Sequence, residues 1–449
     1  MNSLLSHFKF KNDFSDSTGK NYDIVGNPKT DISNETGCIF ECGDAINIPP
    51  VILKGDYTIT SWFKTPLPGA IDFNSLCSDG WNSKAGVPAL IRKNDGHLGI
   101  FNETDFFIDS GFSINTLSVG EHHLTVIADS ILSQTLFYVD NTLVGKSKSK
   151  INSVISQVGN NGNAKNGFEQ PFGYLRDFRI YNKKLNFSER QNIINETNFS
   201  QNINPEFSIE FKNISKSFKF HHEKQKSLYE FLTTISNKKS QFTKLQVLDN
   251  VDFKVNKGEM LGIIGYNGSG KSTILKLIAK IYSPDRGTIK STGKIIPLLE
   301  LGAGFNPEFT ARENIILYGL FLGFTKKEIK SRIEKIIKFA ELENFLDTKI
   351  KNFSTGMYAR LAFSVSLEVD PDILLVDEVL SVGDIQFQEK SFKEFIKFKK
   401  KGKTIIFVSH SSEATIQYCD KVLWVHEGKI QEYGVPKLVL ESYLDNSFS

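Results

Sequence analysis

Nine residues, Gly265-Tyr-Asn-Gly-Ser-Gly-Lys-Ser-Thr273, constrain this chain more than anything else in it, because the first eight fit the pattern G-x-x-x-x-G-K-[ST] in full. An apolar run, Leu261-Gly-Ile-Ile264, precedes them and a helix-forming run, Ser272-Thr-Ile-Leu-Lys-Leu-Ile278, follows. Strand, glycine-rich turn and helix in that order make a phosphate cradle. The glycines let backbone N–H groups converge on phosphate oxygens, and the helix N-terminus adds partial positive charge. The pattern assigns Gly265, Asn267, Gly268, Ser269 and Gly270 to the cradle, with Thr273 at its end. It directs Lys271 to the β- and γ-phosphates and the Ser272 hydroxyl to Mg²⁺. ATP with Mg²⁺ is the cofactor pair this implies.

The chain has 449 residues, and at about 150 per domain it holds two or three domains. Up to about residue 198 it reads as strands: Tyr57-Thr-Ile-Thr-Ser-Trp-Phe63, Leu124-Thr-Val-Ile127 and Thr135-Leu-Phe-Tyr-Val139 are rich in β-branched and aromatic residues, with turn formers between them. That predicts an all-β sandwich or jelly roll over residues 1–198. Alternation puts Ile59 and Phe63 on one face of a sheet and Trp62 on the other, and Asp140-Asn141 makes a tight turn after Phe137–Val139. Helical periodicity begins at Phe187-Ser-Glu-Arg. An Asn-rich stretch around Gln191–Pro205 reads as linker, with residues 199–205 as the boundary. From 206 to 449 strands alternate with amphipathic helices, which predicts an α/β P-loop fold with a helical subdomain.

Charge and cysteine content exclude several classes. Residues 1–200 hold 18 Lys+Arg against 21 Asp+Glu, net −3, so the remainder carries +6. Neither half has the dense basic stripe of a nucleic-acid binder. A mildly basic second half is compatible with an anionic membrane surface and equally with ordinary surface variation. No run of about 18 apolar residues occurs, so no membrane-spanning helix is expected. The N-terminus lacks a charged segment followed by a long apolar one, as a secretory signal would need. Cys38, Cys42, Cys77 and Cys419 have no metal-type spacing and read as reduced thiols of a cytoplasmic protein.

Two further strands of the second half end in polar tips. Ile373-Leu-Leu-Val-Asp-Glu378 is an apolar strand closing on two carboxylates: Asp377 would hold Mg²⁺ through water, and Glu378 would orient or deprotonate the attacking water. Thr404-Ile-Ile-Phe-Val-Ser-His410 places His410 where it could contact the γ-phosphate.

Between them lies Phe353-Ser-Thr-Gly-Met-Tyr-Ala-Arg360, which resembles the signature motif of ABC transporter nucleotide-binding domains. The resemblance spans residues 206–445. It places Ser354 and Gly356 at phosphate-contacting positions, Asp384 of Ser381-Val-Gly-Asp384 in the D-loop, and Phe218 as the adenine-stacking aromatic. It also implies a homodimer, because the signature of one copy faces the phosphate cradle of another. Leu298-Leu-Glu-Leu-Gly-Ala-Gly-Phe-Asn-Pro-Glu-Phe-Thr-Ala-Arg-Glu-Asn and Val376-Asp-Glu-Val-Leu-Ser-Val-Gly-Asp resemble in particular the ATP-binding subunits of polysaccharide exporters, which move O-antigens, capsules or teichoic acids as lipid-linked glycans. The chain departs from the wider family in the loop Leu298–Phe305, which has no glutamine; Glu300 is the nearest polar residue. An insertion, Lys224–Lys239, has Leu228, Phe231, Leu232 and Ile235 on one helical face and serves either docking or local packing.

In the first half, Asp56–Lys64, Leu136–Val144 and Gly173–Leu185 resemble recurring segments of laminin-G-like, concanavalin A-like sandwiches. No strand carries the paired carboxylates a glycosidase on this fold needs, so a binding module is favoured. Trp81, within the turn-forming Ser78-Asp-Gly-Trp-Asn-Ser-Lys84, is the candidate for stacking on a sugar ring or, alternatively, for anchoring its loop; Phe106 and Phe107 are weaker candidates. Calcium is less expected, since loop Asp and Asn mostly make turns. The combined expectation is an exporter ATPase on the cytoplasmic face of the membrane, serving a separate transmembrane permease, with a glycan-recognising sandwich. The alternatives are a sandwich that recruits proteins, and a soluble ABC ATPase unconnected with transport.

Overall fold

The computed structural model describes residues 3–10, 24–25, 28–30, 37–41, 44–69, 72–78, 86–102, 106–159, 169–197, 207–221, 242–299, 302–377, 385–409 and 411–447. The chain divides into two compact units. One comprises Met1–Gln201 with Glu432–Ser442, the other Asn202–Gln431 with Tyr443–Ser449. The segment Glu432–Ser442, expected with the second half, thus clusters with the first unit.

The first unit is built on β-sheets. In the largest, Tyr57–Thr65 lies between Gly120–Asp129 and Tyr174–Tyr181, antiparallel to both, and Gln134–Val139 and Thr142–Ser147 extend it beyond Gly120–Asp129. Asp140 and Asn141 both have positive φ (50° and 63°), the geometry of a two-residue hairpin turn, as their sequence predicts. A five-stranded sheet runs in the order Phe106–Ser113, His97–Asn102, Val87–Arg92, Phe73–Ser75, Glu169–Pro171; a smaller one pairs Ala45–Leu53 with Ser153–Gly159. Alternate side chains from these strands meet in one core that includes Phe8, Ile59, Phe63, Leu98, Ile100, Phe137, Ile155 and Phe178. Each such side chain contributes about 1.5–3 kcal/mol by leaving water.

Trp62 faces the other way, as alternation requires, and is also buried. Its indole N–H donates to the Thr197 hydroxyl at 2.7 Å, and the Arg176 guanidinium lies 4.5 Å from its ring. Thr197 ends helix α1 (Phe187–Thr197), which starts at a reciprocal cap: the Glu189 N–H donates to the Asn186 side chain and the Asn186 N–H to the Glu189 carboxylate, each at 2.9 Å. The Asn-rich stretch read as linker from Gln191 is therefore helical to Thr197, with Ile193, Ile194 and Thr197 buried. Asn composition weakens a helix, but burial of one face prevails.

Glu432–Ser442 joins this unit through Gly434, which pairs with Leu143, and through a buried polar cluster. The Tyr138 hydroxyl donates to Glu432 at 2.9 Å, and Arg190, 3.7 Å from the Tyr138 ring, has its guanidinium 3.5 Å from the same carboxylate. Arg190 also donates to Asn141 at 2.8 Å and to the Leu185 carbonyl at 3.0 Å. Burial raises the Glu432 pKa against the pull of Arg190 and Tyr138.

The second unit has a parallel sheet in the order Ile295–Leu298, Ile373–Val376, Thr404–Val408, Met260–Ile264, Lys421–His426. Helix α2 (Lys271–Ile278) follows Met260–Ile264 directly. A three-stranded antiparallel sheet is formed by Phe242–Asn256, Phe207–His221 and Arg286–Ser291. Helices α3 (Ala311–Phe321), α4 (Lys326–Ala340) and α5 (Thr355–Leu367) form a separate cluster around Ile315, Tyr318, Ile329, Ile336, Leu361 and Val365. Thr310 with Glu313, and Thr325 with Glu328, are complete capping boxes that start α3 and α4. Helices α6 (Ile385–Lys400) and α7 (Ser412–Tyr418) belong to this unit, and α8 (Pro436–Ser447), whose first part clusters with the first unit and whose residues from Tyr443 cluster here, completes the described helices. None of the described helices is long and apolar enough to cross a membrane.

Candidate nucleotide site

The glycine-rich loop leaves the end of Met260–Ile264 and turns into α2, as the motif requires. Gly265 has φ +149°, and a Cβ there would lie 2.1 Å from the Val425 carbonyl oxygen, so only glycine lets the loop pass so close to the neighbouring strand. Gly270 (φ +110°, ψ 2°) is the N-cap of α2 and offers no side chain to its first-turn N–H groups. By contrast Thr310, Thr325, Ser354 and Ser411 each cap their own helices with a hydroxyl. The start of α2 thus keeps its donors for an external acceptor.

Tyr266, Asn267 and Gly268 are exposed at the tip, and Ser269, Gly270 and Lys271 are buried at the base. The Lys271 ammonium donates to the carbonyls of Gly265 at 2.8 Å and Tyr266 at 3.0 Å, a posture that holds the cation inside the loop. The Ser269 hydroxyl is buried with no hydrogen-bond partner, and Ser272 is exposed beside it, with Thr273 half-buried. An orphaned hydroxyl, open helix donors and a held lysine fit a bound polyphosphate.

Asp377 ends the buried strand Ile373–Val376 and is half-buried. Thr404–Val408 separates that strand from the one that feeds the loop, so both motifs emerge at the same carboxyl edge of the sheet. Glu378, Asp384 and His410 lie outside the described residues, as do Trp81, Glu300 and the insertion Lys224–Lys239.

Phe218 sits half-buried in Phe207–His221, with its ring edge-on to Tyr282 at 5.2 Å. Sequence reading missed Tyr282: it lies just past the end of α2, and only the fold brings it to Phe218. Ser354 is the N-cap of α5, its hydroxyl accepting from the Met357 N–H at 3.2 Å, and a Cβ on Gly356 would meet nothing closer than 3.9 Å. This helix start therefore has open space at the glycine. Tyr358, one turn into α5, donates to the Gly302 carbonyl at 2.9 Å and packs on Phe305 at 5.2 Å, which ties α5 to the loop that lacks glutamine. Burial raises the Tyr358 pKa.

Comparison with known proteins agrees with this geometry. The family model for "ABC transporter" matches residues 248–381. The chain is 42% identical over 230 residues to the ABC transporter protein AbcA of Aeromonas salmonicida, covering 51% of this chain and 73% of that protein. It is 41% identical over 240 residues to the O-antigen export system ATP-binding protein RfbB of Klebsiella pneumoniae, 52% of this chain and 96% of that one. It is 39% identical over 237 residues to the teichoic acids export ATP-binding protein TagH of Bacillus cereus, 53% of this chain and 42% of the relative. Among solved structures, a dimeric ATP-binding cassette bound to ADP and phosphate in a post-hydrolysis state matches 51% of this chain and 98% of its own at 24% identity, with a TM-score of 0.42. With a complete phosphate loop at the head of α2, and coverage of 73% and 96% of two relatives at over 40% identity, the chain belongs to the ATP-binding proteins of the ABC transporter family, and its second unit is an ATPase.

Proposed function

We propose that this protein is the ATP-hydrolysing subunit of an exporter that moves a lipid-linked polysaccharide across the cytoplasmic membrane, and that its first unit recognises the glycan. The observation that carries the reading is a division of labour within the chain. Similarity to O-antigen and teichoic acid export ATP-binding proteins covers about half of it, and the other half is a separate β-rich unit. In this reading ATP binds with Mg²⁺: Ser272 and Asp377 hold the ion, Lys271 the phosphates and Phe218 the adenine. Glu378 and His410 act at the γ-phosphate. Ser354, Gly356 and Asp384 serve the phosphates of a second copy, so the working form is a homodimer. It sits at the cytoplasmic face against a separate transmembrane permease. Binding closes the dimer and hydrolysis resets it.

For the first unit we favour a laminin-G-like, concanavalin A-like jelly roll that binds carbohydrate. Support comes from its five-stranded sheet, where the half-buried Phe107 packs 5.6 Å from Phe73 and lies 4.7 Å from the Arg92 guanidinium. Arg92 is paired with Asp95 at 2.5 Å and Asp109 at 3.2 Å, and His97 with Asp109 at 2.6 Å. Rings flanked by fixed planar polar groups suit a sugar, which offers an apolar C–H face and a rim of hydroxyls. Trp81 is the second candidate.

The test is calorimetric titration of the full-length protein with its source organism's surface polysaccharide, beside Phe107→Ala and Trp81→Ala. Saturable binding lost in either variant supports the reading and assigns the site. Absence of binding by the folded wild type, with Ca²⁺ supplied, refutes glycan recognition and favours recruitment of proteins, while the exporter ATPase assignment stands.

A further inference from the structure

The exposed tip of the phosphate loop carries a tyrosine that does not stand alone. Tyr266 is 41% exposed, yet its ring is held on two sides: edge-on to His426 at 5.7 Å, and tilted against Tyr443 at 5.3 Å. Tyr443 in turn meets Trp424 edge-on at 5.6 Å. Trp424 and His426 belong to the strand Lys421–His426, where Trp424 is in register with Ile264, the residue before the loop. The turn after that strand also grips the loop from below, since the Gly428 N–H donates to the Ser269 carbonyl at 3.2 Å. Tyr443 lies near the end of α8, nearly 180 residues beyond the loop in sequence.

These contacts bear on the group that matters most for phosphate. The Lys271 ammonium is held by the carbonyls of Gly265 and Tyr266, so the backbone position of Tyr266 sets where the cation waits. A glycine-rich loop has many conformations to lose on binding, and an anchor at its one large side chain removes part of that loss beforehand. We propose that His426 and Tyr443 are positioning residues for nucleotide. They brace Tyr266 from outside the site and thereby preorganise the phosphate loop. Tyr443 is then an element of nucleotide affinity although it contributes no group to the phosphates.

The brace predicts a change in binding with chemistry spared. Aromatic pairs of this kind are individually modest, so Tyr443→Ala in the full-length protein should weaken ADP and ATP binding by about 3- to 10-fold. The Michaelis constant for ATP should rise by a similar factor, with kcat at saturating ATP within about twofold of wild type. Tyr443→Phe should restore affinity, whereas Tyr443→Leu, which fills space without a ring, should not. Tyr266→Ala should weaken binding comparably, and adding Tyr443→Ala to it should cost nothing more, because the second residue acts only through the first. Wild-type affinity in Tyr443→Ala overturns the proposal. So do additive losses in the double variant, or a fall in kcat that Tyr443→Phe fails to repair. Thermal unfolding of each variant, with a midpoint near that of wild type, separates loss of the brace from loss of fold.

Discussion

The two units solve the problem of placing polar groups in opposite ways. In the ATPase unit the groups directed at phosphate are neighbours in sequence, carried by one turn between one strand and one helix: α2 has a glycine for a cap, the Ser269 hydroxyl has no hydrogen-bond partner, and Lys271 is held by carbonyls of its own loop. In the β-rich unit the large polar groups are brought from far apart in sequence and paired with one another. Arg176 takes the Trp62 ring and Glu121 at 2.9 Å; Arg190 takes Asn141, Leu185, Tyr138 and Glu432. Polar groups gathered at one helix start serve a ligand, whereas buried charges paired across distant parts of the chain hold the fold. The contrast predicts that charge removal in one unit costs activity at constant stability, and in the other the reverse.

The largest effect belongs to Lys271. Lys271→Ala should lower the ATP hydrolysis rate of the full-length protein by about 10²–10³-fold, the scale of losing a fixed charge at a reacting phosphate. Its unfolding midpoint should stay within a few degrees of wild type. A large loss of stability would erase the contrast, because it would make the loop lysine a structural cation.

Arg190→Met is the converse. It removes the partner of a buried carboxylate, and cutting a buried pair on one side costs about 3–5 kcal/mol. Chemical denaturation followed by hydrogen exchange in Gln134–Val139 should show this loss, with ATP hydrolysis by the surviving folded fraction little changed. The deficit should shrink as pH falls. Burial already raises the Glu432 pKa, and the protonated acid no longer needs a cation. A deficit that grows on acidification would contradict the assigned partner.

How much of this could be read from sequence follows the same divide. The phosphate loop was legible because its chemistry is local: spacing alone puts Gly265, Lys271 and Ser272 on one turn. Ile59, Phe63 and the Asp140-Asn141 turn were legible because strand alternation and hairpin chemistry are also local. Arg190 gave no signal, since a charged residue on a short polar helix looks like surface until the fold brings Tyr138 and Glu432 to it. The same reason hid Thr197, which lay inside an Asn-rich stretch read as linker yet receives the Trp62 indole. The assignment of Glu432–Ser442 to the β-rich unit is likewise a tertiary fact, with register at Gly434 and Leu143 that no window of sequence contains.

Adjacent histidines sharpen the comparison within the β-rich unit. Burial pushes His123 down to about 4 against the pull of Asp177 and Asp140, with Arg179 and Arg176 adding to the effect. His122 next to it is raised: burial pulls it down, but the bond to Asp140 at 2.8 Å wins. A base depressed in the fold contributes stability that is present above its unfolded pKa and lost as pH falls. For His123 that loss runs from about pH 6.5 to about 4 and is on the order of 3 kcal/mol. His122 has the opposite sign, its contribution being complete below its unfolded pKa and lost as pH rises through the folded one. Denaturation across this range should therefore show a steep acid limb that His123→Gln flattens and His122→Gln steepens. Identical profiles for the two variants would show that burial does not distinguish them.

The smallest expected effect tests whether the ATPase unit also contains purely structural chemistry near its site. Gly302 has φ +75°, and a Cβ there would sit 2.7 Å from the Tyr358 ring, whose hydroxyl donates to the carbonyl of the same glycine. Gly302→Ala is disfavoured twice, by a left-handed backbone and by a ring that must move, for about 1–3 kcal/mol. Tyr358 lies in α5, four residues after Ser354, so displacement of the ring would also tilt the helix start that carries Ser354 and Gly356. Tyr358→Phe removes only the hydrogen bond and should cost about 1 kcal/mol with hydrolysis retained. If Gly302→Ala lowers hydrolysis by more than its fraction unfolded while Tyr358→Phe does not, the loop shapes the start of α5 by packing. Equal losses in the two would assign that role to the hydrogen bond instead.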